Sequence, residues 1–297
     1  MRSLGRVTPY VELTKPRITM MVLFSTGAGY LAATQDRWQP IALLQTLIAT
    51  GLLASGTSAL NQWYERDTDA AMRRTCRRPI PSGRVSARRA LAFGVALLAA
   101  GTGALLAAAT AHAAAAGLLT AASYLLVYTP LKRRSSLCVF AGAFAGAMPP
   151  VIGSVAALER VDPIGLSLFA LLFVWQVPHV YAIAMMYRDD YDRGGLHMLP
   201  PSADRHGNPG SHIVAWSMLL AVVSLGPVAI GTAGPGYAAC AVALNLAFAY
   251  QAVRVWIEPT VQQARRVLLA SVTYLPALLG VAVLDSALPR VLAVLSH

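Results

Sequence analysis

Apolar residues in this chain form long continuous runs that are separated by short polar segments. A window of about 20 residues, which as a helix crosses roughly 30 Å of hydrocarbon, selects nine such runs. We place the nine candidate spans at 18–34, 41–64, 88–110, 113–129, 136–157, 164–187, 211–232, 234–255 and 266–284. The pattern predicts an all-α polytopic membrane bundle of about nine transmembrane helices, forming a single domain over 1–297.

The composition agrees with this interpretation. Only 12% of the residues are charged and 56% are hydrophobic, and the mean hydropathy is +0.55. A soluble domain carries about 25% charged residues. The composition therefore excludes an ordinary soluble enzyme.

The basic residues define an orientation. With the N-terminus in the cytoplasm, 21 of the 24 lysines and arginines fall in segments on the cytoplasmic side. Lysine and arginine accumulate in cytoplasmic loops of membrane proteins. We therefore predict an inner (plasma) membrane protein with a cytoplasmic N-terminus and an external C-terminus. The formal net charge of +11 is then mainly a topology signal, and we expect no nucleic-acid partner.

A first cluster of polar residues, in "NQWYERDTD", follows the second apolar run. Asn61, Glu65 and Asp69 are spaced by four, so they share one helix face, while Asp67 points elsewhere. Mg²⁺ binds one or two carboxylates and completes its octahedron with water and substrate phosphates. The spacing favours a magnesium site, and the alternative is an acidic helix end that pairs with neighbouring arginines.

A second acidic cluster, in "YRDDYDRGG", follows the sixth run. Asp189 and Asp190 are adjacent, so a helix separates them by about 100°. Such a pair could bind two metal ions, or one metal ion and one arginine. Spans two and six both end in the cytoplasm, so both acidic clusters are predicted to face that compartment.

Basic residues suited to phosphate lie between the two acidic clusters. Arg78 is in a loop stiffened by Pro79, and Tyr128 and Lys132 are four apart, with Arg133 next. Arginine binds phosphate through two parallel hydrogen bonds, and lysine acts as a point charge. Each arginine taken alone could equally anchor a loop to anionic lipid. Together with the carboxylates, they suggest Mg²⁺ bridging to a diphosphate whose lipid chain lies among the helices.

His179 is a polar residue inside an apolar run. It precedes Asp190 by 11 residues, so the two share a helix face and His179 lies about 16 Å deeper. Polar groups at such depth are usually directed into the bundle. Two interpretations remain open: a bond to a carbonyl freed by Pro178, or a contact with a large planar second substrate.

Several motifs in their order resemble the UbiA intramembrane prenyltransferase superfamily, and within it the haem O synthase branch. They are "LTKPRIT", "NQWYERDTDAAMRRTCRRPIPSGRVS", "YTPLKRRSS", "AGAFAGAMPPVIGS" and "WQVPHVYAIAMMYRDDYDRGGLHMLP". The resemblance implies nine transmembrane helices and a cytoplasmic cap over a central cavity. It also implies Mg²⁺-dependent transfer of farnesyl from farnesyl diphosphate to a vinyl group of haem B. Water adds in the same reaction, which yields haem O and diphosphate.

The resemblance also implies roles for individual residues. The implied metal ligands are Glu65, Asp69, Asp189 and Asp190, with Asn61 in support. The implied diphosphate ligands are Arg78, Lys132 and Arg133, and Tyr128 would steady the allylic cation. The implied haem-side residues are His179, Trp175 and Tyr187. Membrane lipid, haem A synthase and terminal-oxidase assembly proteins are candidate partners.

Two alternative functions remain open. Prenylation of a quinone-precursor aromatic acid is disfavoured by "YRDDY" and "WQVPH", which resemble the haem O synthase branch. A haem or lipid transporter is disfavoured because the acidic residues cluster at one surface, whereas transporters place charges near the bilayer midplane.

Overall fold

A computed structural model describes residues 4–34, 37, 39–201 and 207–295, and this part of the chain contains helices but no strands. The helices are α1 Leu4–Leu13, α2 Pro16–Thr34, α3 Pro40–Tyr64, α4 Arg66–Ala71, α5 Ala87–Ala108, α6 Ala111–Ala122, α7 Thr129–Leu131, α8 Cys138–Ala147, α9 Pro149–Leu158, α10 Pro163–Met186, α11 Arg188–Arg193, α12 Pro209–Val223, α13 Gly226–Ala229, α14 Pro235–Ile257 and α15 Val261–Leu295. A π-helix, Ser123–Tyr128, connects α6 to α7.

The predicted fold class is confirmed. Within the described residues, eight helical stretches are long and apolar enough to cross a membrane. The 19-residue helix α2 coincides with the first predicted span and packs against α9. Proline begins many of these helices, as at Pro40, Pro163, Pro209 and Pro235. Proline suits that position because the first helical N–H has no intrahelical acceptor.

Glycine allows the membrane helices to approach closely. A Cβ atom added at Gly101 of α5 would collide with the backbone nitrogen of Leu53 in α3. A Cβ atom at Gly153 of α9 would likewise meet the backbone of Thr26 in α2. Small residues favour such contacts in membranes, where helix association depends on close packing.

The first acidic motif extends across the end of α3, and the second begins where α10 ends. Glu65 has φ −86° and ψ 5° and separates α3 from α4. Tyr187 has φ −121° and ψ 29° and separates α10 from α11. Each long helix is therefore followed by one short helix that carries acidic residues, and Asp190 of α11 bonds to the segment that follows α4.

Candidate active site

The carboxylates of Glu65 and Asp69 in the first acidic motif are largely buried, and each forms an ion pair. Lys132 Nζ lies 2.8 Å from an oxygen of Glu65, and only 12% and 11% of the two side chains are exposed. Arg78 Nη1 lies 2.8 and 2.7 Å from the two carboxylate oxygens of Asp69, which is 1% exposed. A buried carboxylate requires such a partner because an unpaired charge is costly away from water.

Asn61 connects this motif to the N-terminal segment. Its Oδ1 accepts a 2.8 Å hydrogen bond from Lys15 Nζ, and its Nδ2 donates to Thr129 Oγ1 at 3.2 Å. Lys15 lies between α1 and α2, with a left-handed φ of 48°. The sequence interpretation missed Lys15 and Thr129. The available signal was a lysine immediately before the proline that begins the first apolar run.

Lys15, Arg78 and Lys132 are three cations close to only two carboxylates. Burial and the charge of Arg78 lower the pKa of Lys15 to about 7. Burial opposes ionisation of Glu65, but Lys132 and Lys15 outweigh it and hold the Glu65 pKa below its usual value. Burial also opposes ionisation of Lys132, but Tyr128 and Glu65 outweigh it and raise the Lys132 pKa. The cluster has excess positive charge and suits an anion.

Tyr128 forms one wall of the cluster. Lys132 Nζ lies 4.2 Å from the centre of the Tyr128 ring, so a cation occupies the face of this ring. A Cβ atom at Gly142 of α8 would lie 2.8 Å from the same ring, so Gly142 leaves room for it. The face of an aromatic ring attracts positive charge.

Asp190 of the second motif binds the segment that follows the first motif. Its Oδ1 accepts a hydrogen bond from the backbone N–H of Arg73 at 3.2 Å, and its Oδ2 accepts from Arg74 N–H at 3.0 Å. It also pairs with Arg193. The Arg193 guanidinium holds the pKa of Asp190 below its usual value, against the opposing effect of burial. Asp189, in contrast, is exposed.

Further contacts bring the two motifs to the same end of the bundle. The guanidinium of Arg74 lies 4.8 Å from the ring centre of Tyr187 and 5.6 Å from that of Tyr191. The backbone N–H of His197 donates to the carbonyl of Lys132 at 2.8 Å. A cavity of about 470 Å³ lies beside these contacts. It is lined by Arg73, Arg74, Met185, Met186, Tyr187, Arg188, Asp189, Asp190, Arg193 and Val261.

The donor set suits Mg²⁺ bound jointly with a phosphate ligand. Among the described residues, no group of three or more histidine, cysteine or acidic side chains is arranged to hold a metal ion. The acidic side chains of the two motifs are carboxylates, which are hard oxygen donors. Mg²⁺ is usually held by one or two carboxylates plus water and substrate phosphates, so a bound diphosphate would have to supply the remaining ligands.

Other predicted residues lie apart from the ion pairs. Arg133 is exposed, unlike its neighbour Lys132. Trp175 and His179 lie in the interior of α10 and both contact Ser271 of α15. The sequence interpretation missed Ser271, because a single serine in an apolar run carries no distinctive signal.

Comparison with known proteins identifies the family. The sequence profile described as the UbiA prenyltransferase family matches residues 22–289. The chain belongs to the UbiA prenyltransferase family. The resemblance predicted from the motifs is thereby confirmed.

The chain is also similar, over most of its length, to two protoheme IX farnesyltransferases. It is 48% identical over 285 residues to the protoheme IX farnesyltransferase of Solibacter usitatus, covering 93% of this chain and 98% of the relative. It is 40% identical over 289 residues to the protoheme IX farnesyltransferase of Opitutus terrae, covering 95% and 96%.

Solved structures share the UbiA fold. A digeranylgeranylglyceryl phosphate synthase superposes with a TM-score of 0.78 at 16% identity, over 95% of this chain and 98% of that one. A UbiA homologue from Archaeoglobus fulgidus, bound to GPP and Mg²⁺, gives a TM-score of 0.66 at 15% identity, over 92% and 99%. At these identities the likeness establishes the fold alone.

Proposed function

We propose that this protein transfers farnesyl from farnesyl diphosphate to a vinyl group of haem B, with addition of water, to give haem O and diphosphate. The observation that carries the proposal is the buried cluster of Lys15, Arg78 and Lys132 around Glu65 and Asp69. The high identity to two protoheme IX farnesyltransferases supports haem B as the acceptor.

The charges of the cluster match a magnesium diphosphate. When Lys15 is protonated, three cations and two carboxylates leave one positive charge, and a trianionic diphosphate ester with one Mg²⁺ carries one negative charge. Binding can therefore leave the buried site close to neutral, which a low-dielectric environment favours. Lys132 and Arg78 would exchange some of their hydrogen bonds to Glu65 and Asp69 for hydrogen bonds to the phosphate oxygens.

The metal would be held by carboxylates from both motifs. Glu65 and Asp69 are released when their cations turn to phosphate, and exposed Asp189 already lines the adjacent cavity. Asp190 would bind the metal through an oxygen lone pair while it continues to accept hydrogen bonds from the backbone N–H groups of Arg73 and Arg74. Mg²⁺ would supply Lewis-acid stabilisation of the charge that develops on the leaving diphosphate.

A side chain of the protein would stabilise the allylic cation that forms from the farnesyl group. The bond between farnesyl C1 and the diphosphate oxygen breaks, and both bonding electrons leave with the diphosphate. The face of Tyr128 would stabilise the resulting allylic cation when Lys132 turns to phosphate. C1 then bonds to the terminal vinyl carbon, water adds to the other vinyl carbon, and one proton is released.

The same reasoning extends to location. We propose an inner-membrane protein whose site opens to the cytoplasm, because this places most basic residues inside. The product would pass to an enzyme or assembly protein that accepts a farnesylated haem, such as haem A synthase or a terminal-oxidase assembly factor.

Mass analysis of haem tests the function. The full chain and two variants are expressed in a strain that lacks haem O, and extracted haem is compared. We expect a mass increase of one farnesyl group plus water for the native chain. Glu65→Gln should lower the yield by a factor of about 100 or more, because it removes a carboxylate ligand of the metal that would stabilise the leaving diphosphate.

Asp67→Asn is the matched control. Asp67 lies two residues away but 81% of its side chain is exposed. Haem O formation should therefore be unchanged in Asp67→Asn. A native chain that modifies a quinone precursor, or that moves haem without modifying it, would overturn the proposal.

A further inference from the structure

His179 is held by α15 in the interior of the membrane domain. Its Nδ1 atom lies 2.7 Å from Ser271 Oγ. Trp175, one turn earlier, donates from Nε1 to the backbone carbonyl of Ser271 at 2.9 Å. The Trp175 and His179 rings stack with centres 4.7 Å apart and planes inclined by 23°. The orientation of the imidazole is therefore constrained by two residues.

The hydrogen bonds define which imidazole nitrogen carries the proton. Ser271 Oγ lies 2.6 Å from the carbonyl oxygen of Leu268, and the proton between them must come from the hydroxyl. Having donated its only proton, Ser271 can only accept from His179. Nδ1 is therefore the N–H donor, and in the neutral ring Nε2 carries the free lone pair.

This lone pair has no protein partner. Nε2 of His179 makes no hydrogen bond to any described residue. His179 is also only partly buried in the protein. Metal-binding histidines almost always donate their other ring N–H to a second group that fixes the tautomer. His179 and Ser271 have this arrangement.

We propose that Nε2 of His179 is an axial ligand to the iron of the haem acceptor, with Ser271 as a positioning residue. This inference rests on the proposed function, which supplies haem B as the acceptor. Histidine is a common axial ligand of haem iron. Stacked Trp175 would hold the imidazole ring in place while iron is bound.

The position of His179 in α10 would allow a bound haem to extend toward the cytoplasmic end of this helix. Met186, which lines the cavity beside the acidic motifs, follows His179 by seven residues. Seven helical residues correspond to about 10 Å, and the two positions lie within about 20° of each other around the helix. Val261 of α15 lines the same cavity, so α10 and α15 border both the cavity and His179.

Porphyrin binding tests the ligand directly. Ferric haem B and metal-free protoporphyrin IX are titrated separately into the purified full chain in detergent, followed by absorption and electron paramagnetic resonance. We expect a histidine-ligated haem spectrum in the native chain and its loss in His179→Ala, with haem affinity at least tenfold weaker. Added imidazole should restore the spectrum of His179→Ala. Metal-free protoporphyrin should bind the native chain and His179→Ala equally.

Two variants control the measurement. His112→Ala removes an exposed histidine at the start of α6 and should leave haem binding unchanged. Ser271→Ala should keep the histidine signature but weaken haem binding by about tenfold, as found for residues that support metal ligands. Thermal unfolding of each variant in detergent excludes a general loss of structure.

Several results would overturn the inference. They are an unchanged spectrum in His179→Ala, equal affinity of the native chain for haem and for metal-free protoporphyrin, or no haem binding by the native chain. If haem O is still produced in such a case, only the ligation is wrong. If His179 binds iron but no haem O is formed, the proposed function fails and the ligation stands.

Discussion

Adjacent Asp189 and Asp190 have different surroundings, so Asp190 is expected to stabilise the loop in addition to its proposed contact with metal. Asp190 is buried and accepts two backbone hydrogen bonds from the segment after α4, whereas Asp189 is exposed at the cavity. The first arrangement stabilises the loop, and the second leaves a carboxylate available to metal.

We expect Asp190→Asn to reduce the free energy of unfolding by about 1–3 kcal/mol, because an amide N–H₂ would then face a backbone N–H that loses its acceptor. Asp189→Asn should leave stability unchanged but raise the Mg²⁺ concentration needed for half-maximal activity. Thermal unfolding in detergent and a Mg²⁺ titration measure the two effects. Equal stability of the two variants would contradict this assignment.

Lys15 predicts a pH dependence of diphosphate binding. Its pKa of about 7 lies below the usual lysine value because of burial and the charge of Arg78. Lys15 is therefore mostly charged below pH 7 and mostly neutral above it, and an anion binds the charged form. We expect affinity for magnesium diphosphate to fall as pH rises from 6.5 to 8.5, with proton uptake on binding in calorimetry.

Lys15→Arg is the control for this prediction, because arginine remains charged throughout this range. Ionisation of the diphosphate itself affects both proteins equally. The native chain should therefore lose affinity with pH more steeply than Lys15→Arg. Equal slopes would show that Lys15 does not titrate in this range or does not contact the anion.

At the scale of helices, most boundaries followed from hydropathy and proline, which are local properties. The predicted span 41–64 agrees closely with Pro40–Tyr64, and 164–187 agrees with Pro163–Met186. The predicted span 136–157 instead contains two helices, because Pro149 and Pro150 interrupt the backbone hydrogen bonds after Ala147.

Close helix packing predicts an effect of adding one methyl group. Gly101→Ala should destabilise the α3–α5 contact by about 1–3 kcal/mol, because the added Cβ overlaps the backbone of Leu53. Gly103→Ala, in the same helix, has open space around its Cβ and should be neutral or slightly stabilising. Thermal unfolding in mild detergent measures both. Equal unfolding temperatures would contradict the close approach.

At the scale of the whole molecule, the charge distribution predicts an orientation. In a variant without native cysteines, Arg77→Cys should react with a membrane-impermeant maleimide only after permeabilisation of the inner membrane. Arg160→Cys, in the exposed turn before α10, should react in cells with an intact inner membrane. The reverse pattern would invert the proposed topology and move the site away from the cytoplasm.

The sequence allowed prediction of the fold class, because long apolar runs with few charges follow directly from hydropathy. The predicted shared face of Asn61, Glu65 and Asp69 assumed one continuous helix, whereas Glu65 separates α3 from α4. The sequence did not reveal the Lys15–Asn61 bond or the His179–Ser271 bond. These contacts join residues 46 and 92 positions apart. Their formation depends on how the helices pack, which one sequence without relatives does not encode in any local pattern.

In the proposed reaction, the ion pairs of the first motif would affect turnover as well as recognition. When diphosphate departs, Lys132 can return to Glu65 and Arg78 to Asp69, so both carboxylates regain an oppositely charged partner. Release of diphosphate would then not leave these side chains without an oppositely charged partner, so it would not require solvent or another ligand to enter first. An enzyme built in this way can reset between catalytic cycles by exchanging partners within its own side chains.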